Sequence, residues 1–244
     1  MQNTHIWHQH TVYCRQIIVA ILIMISGSTA LFGQKNLADH DYKKVYFGFL
    51  MGYNSTRFDI EHSADFINND SIKVVESPTT PGFNLGIISN LKLAKRLDLR
   101  FIPTLVFAEK KLRYTEITNF ADSTFTNTIE SIYFDFPLSL KYKSDRFNDN
   151  FRFYIMAGIR LDYDLASNSK KRRANDIVKL GKYDWSGEVG FGFNFYFPMF
   201  IFSPEIKIAR GLNNVHVPTD NYRYSEVLGA LRSRTITVSI QFEG

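Results

Sequence analysis

Two groups of side chains in this sequence carry charge in an arrangement capable of chemistry. The first comprises Asp135, Lys141, Arg152, Arg160, Asp162, Glu188, Glu205 and Lys207, joined by Asp98 and Arg100. Carboxylates held beside guanidinium or ammonium groups are the raw material of acid–base catalysis, of a proton path, or of a buried ion-pair network. The second is the basic run Lys170, Lys171, Arg172 and Arg173. Its density suits contact with the phosphates of lipopolysaccharide, although such a run is more often a loop that is merely solvated. Histidine, the usual partner of a catalytic serine or aspartate, is represented after residue 33 only by His40, His62 and His216, none of them inside a predicted strand. Asn68, Asn69 and Asp70, like Asp145 and Asn148 to Asn150, read as turn formers without calcium-loop spacing. Paired histidines at metal spacing, glycine-rich phosphate loops and nucleotide motifs are all missing, so the sequence predicts no catalytic site, metal or cofactor.

What the charges do depends on the elements that carry them. From Lys44 onward apolar residues recur at every second position, in segments of about ten residues, the length of a tilted membrane strand. Eight such segments follow one another: 45–54, 82–93, 97–114, 131–143, 151–165, 183–197, 200–212 and 234–244. The links between them alternate strictly. Long links at 55–81, 115–130, 166–182 and 213–233 are interleaved with short ones at 94–96, 144–150 and 198–199. An even-stranded barrel with both ends in the periplasm has short inner turns and long outer loops, and every link obeys that rule.

Alternation alone does not separate a barrel from a soluble sandwich, since both bury every second residue. The contents of the two faces do. In the sixth segment one face is Trp185, Gly187, Val189, Phe191, Phe193, Phe195 and Phe197, and the other is Ser186, Glu188, Gly190, Gly192, Asn194 and Tyr196. Twelve residue steps at about 3.3 Å, tilted by about 45°, give roughly 28 Å of height, enough for an apolar belt with aromatic ends. The polar phase mixes the first group of charges with Gly48, Gly52, Gly86, Gly158, Gly190 and Gly192. A solvated sheet face gains nothing from so many glycines, whereas a narrow lumen uses small residues to make room for long ones opposite. The sequence therefore predicts an all-β fold, an eight-stranded antiparallel up-and-down transmembrane β-barrel. Its acids and bases form a structural network in the lumen, with Arg160–Glu188 and Asp135–Arg160 as the first expected pairs.

Composition agrees with that class. Aromatics make up 15% of the 244 residues, with 22 Phe and 13 Tyr, as the interfacial belts of a membrane require. A mean hydropathy of -0.17 excludes a bundle of membrane helices. The one strongly apolar helical stretch, Gln16 to Ile25, follows Arg15 and precedes small residues, the order of a signal peptide and too short for a comfortable span. Cleavage after Ala30 or after Gly33 fits, with preference for Gly33, and an uncleaved anchor is the alternative. The expected organisation is a signal peptide over 1–33, a periplasmic lead-in over 34–44 and the barrel over 45–244. Cys14, His5, His8 and His10 leave with the leader. The mature chain then holds no cysteine and no disulfide.

Four segments carry a resemblance to a known family: YFDFPLSLKYK (Tyr133 to Lys143), WSGEVGFGFNFYF (Trp185 to Phe197), SPEIKIARGL (Ser203 to Leu212) and LRSRTITVSIQFE (Leu231 to Glu243). They resemble the PorT-type outer-membrane barrel proteins of the Bacteroidota, associated with the type IX secretion system and, in gliding species, with motility. The resemblance covers most of the mature chain and is sharpest in its second half. It implies a non-enzymatic component that assists export of cargo proteins bearing a carboxyl-terminal sorting domain. The resemblance implies other secretion proteins as partners, while the barrel and its basic run predict outer-membrane lipid and lipopolysaccharide, the terminal strand predicts the barrel assembly machinery, and no nucleic acid is expected. A stand-alone barrel for adhesion or envelope stability is the alternative, and a lipid-modifying barrel enzyme the third class. The last segment also resembles a terminal strand recognised for assembly, with Glu243 and Gly244 following its aromatic.

Overall fold

The computed structural model describes residues 35–63, 66, 72–117, 122–165, 178–217 and 223–244. The expected signal peptide, residues 68–70 and the basic run Lys170 to Arg173 lie outside the described residues. The chain divides into two compact units, 1–35 and 36–244, and every element below belongs to the second. In chain order the strands are β1 (Val45–His62), β2 (Ile72–Glu76), β3 (Thr80–Ala94), β4 (Leu97–Phe101), β5 (Thr104–Ile117) and β6 (Asp122–Lys143). They continue as β7 (Phe151–Asp164), β8 (Lys179–Leu180), β9 (Tyr183–Tyr196), β10 (Ile201–Gly211), β11 (His216–Val217) and β12 (Leu228–Glu243).

The main sheet closes on itself. β12 lies antiparallel to both β10 and β1, from Gly48↔Glu243 upward, and β1 in turn pairs with β3 from Val45↔Leu91 upward, so the last strand closes the ring on the first. β4 and β5 both lie between β3 and β6 and together fill one position, which makes a ring of eight antiparallel positions. The third segment was expected to be continuous, but it breaks at Ile102 and Pro103. Pro103 has no N–H to give to the ladder, and its carbonyl accepts instead from Ile87. The side-chain phase survives the break, because Arg100, Ile102 and Thr104 all point inward.

The strands are longer than the sequence predicted at the end that carries the long links. β1 runs on to His62, β6 starts at Asp122 and β12 at Leu228. β2 adds to the edge of β5, β8 pairs with β11, and Arg223–Glu226 form a short helix. The cause is an apolar cluster closing that end, in which Phe58, Ile72, Val75, Leu112, Tyr114, Val215, Val227 and Leu231 are buried together. Its burial gives the strands a reason to continue beyond the lipid belt. At the opposite end the links are tight, and a 3-10 turn, Ala38–Tyr42, tucks into the mouth.

Candidate functional site: the ion-paired lumen

The two faces of each strand separate cleanly. In β9, Trp185, Val189, Phe191 and Phe195 are exposed, while Ser186, Glu188, Asn194 and Tyr196 are buried. Glycine makes the inner face fit. A side chain at Gly192 would overlap the Tyr154 hydroxyl, and one at Gly190 would crowd Lys207 and Met156.

Inside, the charges form three tiers. At the turn end the lead-in supplies a carboxylate. Asp41 lies 3.1 Å from both Arg146 and Arg152 and its carbonyl accepts from Lys92. Nearby, Asp98 takes the Tyr46 hydroxyl and the Lys143 ammonium, each at 2.5 Å. His40 is buried against the edge of Tyr46, with ring centroids 4.5 Å apart. Burial holds its pKa down at about 4, against the opposing pull of Glu243.

The middle tier is built on Arg100. Its guanidinium donates to Glu205 at 2.8 Å, to Glu243 at 2.8 Å and to Asn90 at 2.9 Å. Tyr154 donates to Glu205 at 2.7 Å, and Lys141 reaches Glu243 at 3.3 Å while lying 3.8 Å above the Tyr154 ring. Two cations face two anions, so the tier is neutral. Strands on opposite sides of the ring are thereby tied together through charge-assisted hydrogen bonds.

The upper tier departs from the expected pairing. Arg160 lies 2.7 Å from Asp162, two residues along its own strand, and 3.6 Å from Asp135. The expected Asp135–Arg160 neighbours therefore meet, but Glu188 turns to Lys207 at 3.7 Å instead of to Arg160. Asp135 stands opposite Asp162, which draws Arg160 between two carboxylates, and Glu188, on the diagonal from both Arg160 and Lys207, takes the lysine that the aspartates leave to it. Lys110 completes the tier, donating to Ser233 at 2.8 Å and lying over the rings of Phe58 and Tyr133. A cavity of about 30 Å³ between Asn54, Asn84, Lys110, Asp135 and Asp162 is large enough for about two water molecules.

All eight acids and bases of the first group thus point into the lumen, and three of their partners were missed. Glu243 follows the terminal aromatic but keeps the phase of Thr235, Thr237, Ser239 and Gln241 and is buried. That phase was the available signal. Asp41 had none, because it lies before the first strand. Lys110 keeps the inward phase, but from Glu109 onward the outward face turns polar (Glu109, Lys111, Arg113) and the inward one apolar (Leu112, Tyr114), so polarity no longer marks the lumen there. Among the described residues no group of acids, histidines or cysteines is arranged to hold a metal.

The two histidines assigned to long links are both in strands. His62 ends β1, and His216 in β11 is buried with Nε2 2.9 Å from Ser225 Oγ. An imidazole beside a hydroxyl is half of a nucleophile–base arrangement. Here Ser225 is only 2% exposed, and His216 Nδ1 has no hydrogen-bond partner among the described residues, so the orienting third group is absent from them.

A closed antiparallel ring with an apolar, aromatic outer wall and a charged, filled interior defines an outer-membrane β-barrel. Residues 32–217 match the model of the outer membrane protein beta-barrel domain, and the chain belongs to that family, resident in the outer membrane. Solved structures similar to it include Neisserial surface protein A (TM-score 0.42, 12% identity, 82% of this chain and 96% of that one). OprG from Pseudomonas aeruginosa (TM-score 0.40, 14%, 82% and 97%) and Ail, the attachment invasion locus protein of Yersinia pestis (TM-score 0.35, 12%, 83% and 100%), are similar in the same way. No curated protein matches the sequence significantly.

Proposed function

We propose that this protein is a non-enzymatic outer-membrane component required for type IX protein secretion, acting in assembly or function of the translocon. The observation that carries an accessory role is the filled lumen. Arg100, Glu205, Glu243, Lys141 and Tyr154 bond to one another across the interior, which leaves no room for a polypeptide to pass. Such a barrel works through its outer surfaces, by holding other proteins or lipids. The direction toward type IX secretion rests on the resemblance of Tyr133 to Lys143, Trp185 to Phe197, Ser203 to Leu212 and Leu231 to Glu243 to the PorT-type proteins. Other secretion proteins and the barrel assembly machinery are the partners this reading requires.

The second reading, a stand-alone barrel for adhesion or envelope stability, draws on the apolar cluster at the loop end. That cluster holds β5, β6 and β2 upright as a firm platform on the loop side of the belt. Deletion of the gene separates the two. Type IX function predicts that cargo with a carboxyl-terminal sorting domain stays in the cell and that a plasmid copy restores its export. Normal cargo export, with loss only of surface binding or envelope integrity, would move the assignment to the second reading. An altered lipid A structure alone would point to the third class, a lipid-modifying enzyme.

A further inference from the structure

Three arginines stand side by side on the outer wall. Arg57 of β1 lies directly opposite Arg234 of β12, and Arg234 lies directly opposite Arg210 of β10. Their phase is that of the lipid-facing residues. Below Arg57 come Tyr53 and Met51, below Arg234 come Ile236 and Val238, and below Arg210 come Ile208 and Ile206, all of them exposed. The row therefore sits where the apolar wall ends on the loop side, at the level of lipid headgroups. Adjacent strands are about 4.8 Å apart, so three guanidinium groups are gathered within roughly 10 Å of wall.

Like charges directly opposite one another destabilise a sheet unless an anion lies between them. The described residues offer one carboxylate, Asp59, at 3.8 Å from Arg57 and 3.5 Å from Arg210. Arg234 has no carboxylate partner among them, since it stands between Arg57 and Arg210, and Asp59 is opposite Arg232. Beside the row the wall carries a depression of about 140 Å³, lined by Ser55, Arg57, Thr79, Arg234 and Ile236. Two forked cation donors, two hydroxyls and an apolar floor facing the lipid match a phosphate ester whose other end is a hydrocarbon chain.

We propose that Arg57, Arg234 and Arg210, with Ser55 and Thr79, form a binding site for the phosphorylated headgroup of an outer-leaflet lipid. The phosphate takes the place of the missing counter-anion, Asp59 sets the spacing of the outer two arginines, and Ile236 meets the first methylenes of the acyl chain. Lysine in these positions would attract the same charge without the fork that fixes the phosphate on the wall.

The test uses the full-length protein purified in detergent, titrated in mixed micelles with diphosphorylated lipid A, with its dephosphorylated form, and with inorganic phosphate, bound lipid being counted by native mass spectrometry. The phosphorylated lipid should be retained. Arg57→Gln, Arg234→Gln and Arg210→Gln should each weaken retention roughly fivefold. Arg96→Gln, which removes an exposed arginine paired with Asp145 at the turn end, should leave it unchanged. Inorganic phosphate should compete only in large excess. Equal retention of the dephosphorylated lipid, or unchanged retention in the three variants, would overturn the site. Displacement by equimolar inorganic phosphate would overturn the lipid as its occupant. If a glutamine variant does not fold, the corresponding Arg→Lys variant is measured instead, with an intermediate loss expected and no loss counting against the site.

Discussion

Arg100 and Glu243 meet at 2.8 Å in the middle of the barrel, joining the interrupted third ring position to the penultimate residue of the chain. Both side chains are fully buried, so neither charge has water to fall back on. Removing one partner leaves the other's buried charge only partly compensated, by Glu205 for Arg100 or by Lys141 for Glu243, at a cost of up to about 3 to 5 kcal/mol, whereas removing both costs less than the sum. The Glu243→Gln/Arg100→Met double variant should therefore lose less stability than the sum of the losses in the two single variants. Urea unfolding of refolded protein in lipid vesicles measures all three. Strictly additive losses would show that the pair is not a unit.

The upper tier gives a sharper test of which neighbours are coupled. Glu188 lies 3.7 Å from Lys207, while Arg160 lies 2.7 Å from Asp162. A double-mutant cycle of Glu188→Gln with Lys207→Met should yield an interaction of about 0.5 to 3 kcal/mol. The cycle of Glu188→Gln with Arg160→Met should yield less. A larger value for the second cycle would restore the pairing that strand phase alone suggests.

That comparison also marks what the sequence discloses. Phase places Arg160, Glu188 and Lys207 on one face without ambiguity, because every second residue of β7, β9 and β10 points inward. Phase does not say which neighbour an acid takes: Glu188 is on the diagonal from both Arg160 and Lys207, and the facing Asp135 and Asp162 claim the arginine. The loop end was misread for a related reason. Within the lipid belt the outward residues are apolar and the inward ones polar, but beyond it the sense reverses. In β1 the inward Phe58 and Ile60 are apolar, while the outward Arg57, Asp59 and Glu61 are charged. A search for an apolar outer face stops at Tyr53, although the strand continues to His62. The arginine row lies where that reversal occurs. It is invisible to a reading of single strands, since Arg57, Arg210 and Arg234 are far apart in sequence and adjacent only through register.

The outer wall can be probed at Val189, which is 58% exposed midway along β9. Val189→Arg places a charge against hydrocarbon and should destabilise the barrel by about 2 to 4 kcal/mol, while Val189→Leu should be nearly neutral. The same unfolding assay in vesicles checks this. Equal stability of the two variants would mean that this face does not meet lipid.

Gly192 reports on the packing of the lumen. A Cβ there would overlap the Tyr154 hydroxyl and crowd the Pro204 carbonyl, so even Gly192→Ala should cost about 1 to 3 kcal/mol through displacement of Tyr154 from Glu205. Gly187→Ala, on the outer face of the same strand, meets only Leu212 at 3.9 Å and should be tolerated. Comparable losses at both positions would indicate that the strand tolerates alanine poorly in general, rather than that the lumen is full.

His40 links the turn-end plug to pH. Its pKa is about 4 in the folded protein against an ordinary 6.5, because burial penalises the charged ring and Lys43 and Lys143 repel it, outweighing Glu243 and Asp41. Between those two values the unfolded chain holds a proton that the folded one does not, so acid favours unfolding. Stability from this group is complete above about pH 6.5, declines as the pH falls, and is fully lost below about pH 4. The full span amounts to at most about 3 kcal/mol, less where solvent screens the ring. His40→Phe keeps an aromatic ring against Tyr46 and removes the titration. The buried His216 is also held below its ordinary value by desolvation, and it titrates in both proteins. The difference between wild type and variant therefore isolates His40, and it should grow as pH is lowered from 6.5 to 4. Parallel stability profiles for the two proteins would show that His40 is reached by water, and that the lead-in does not seal the mouth.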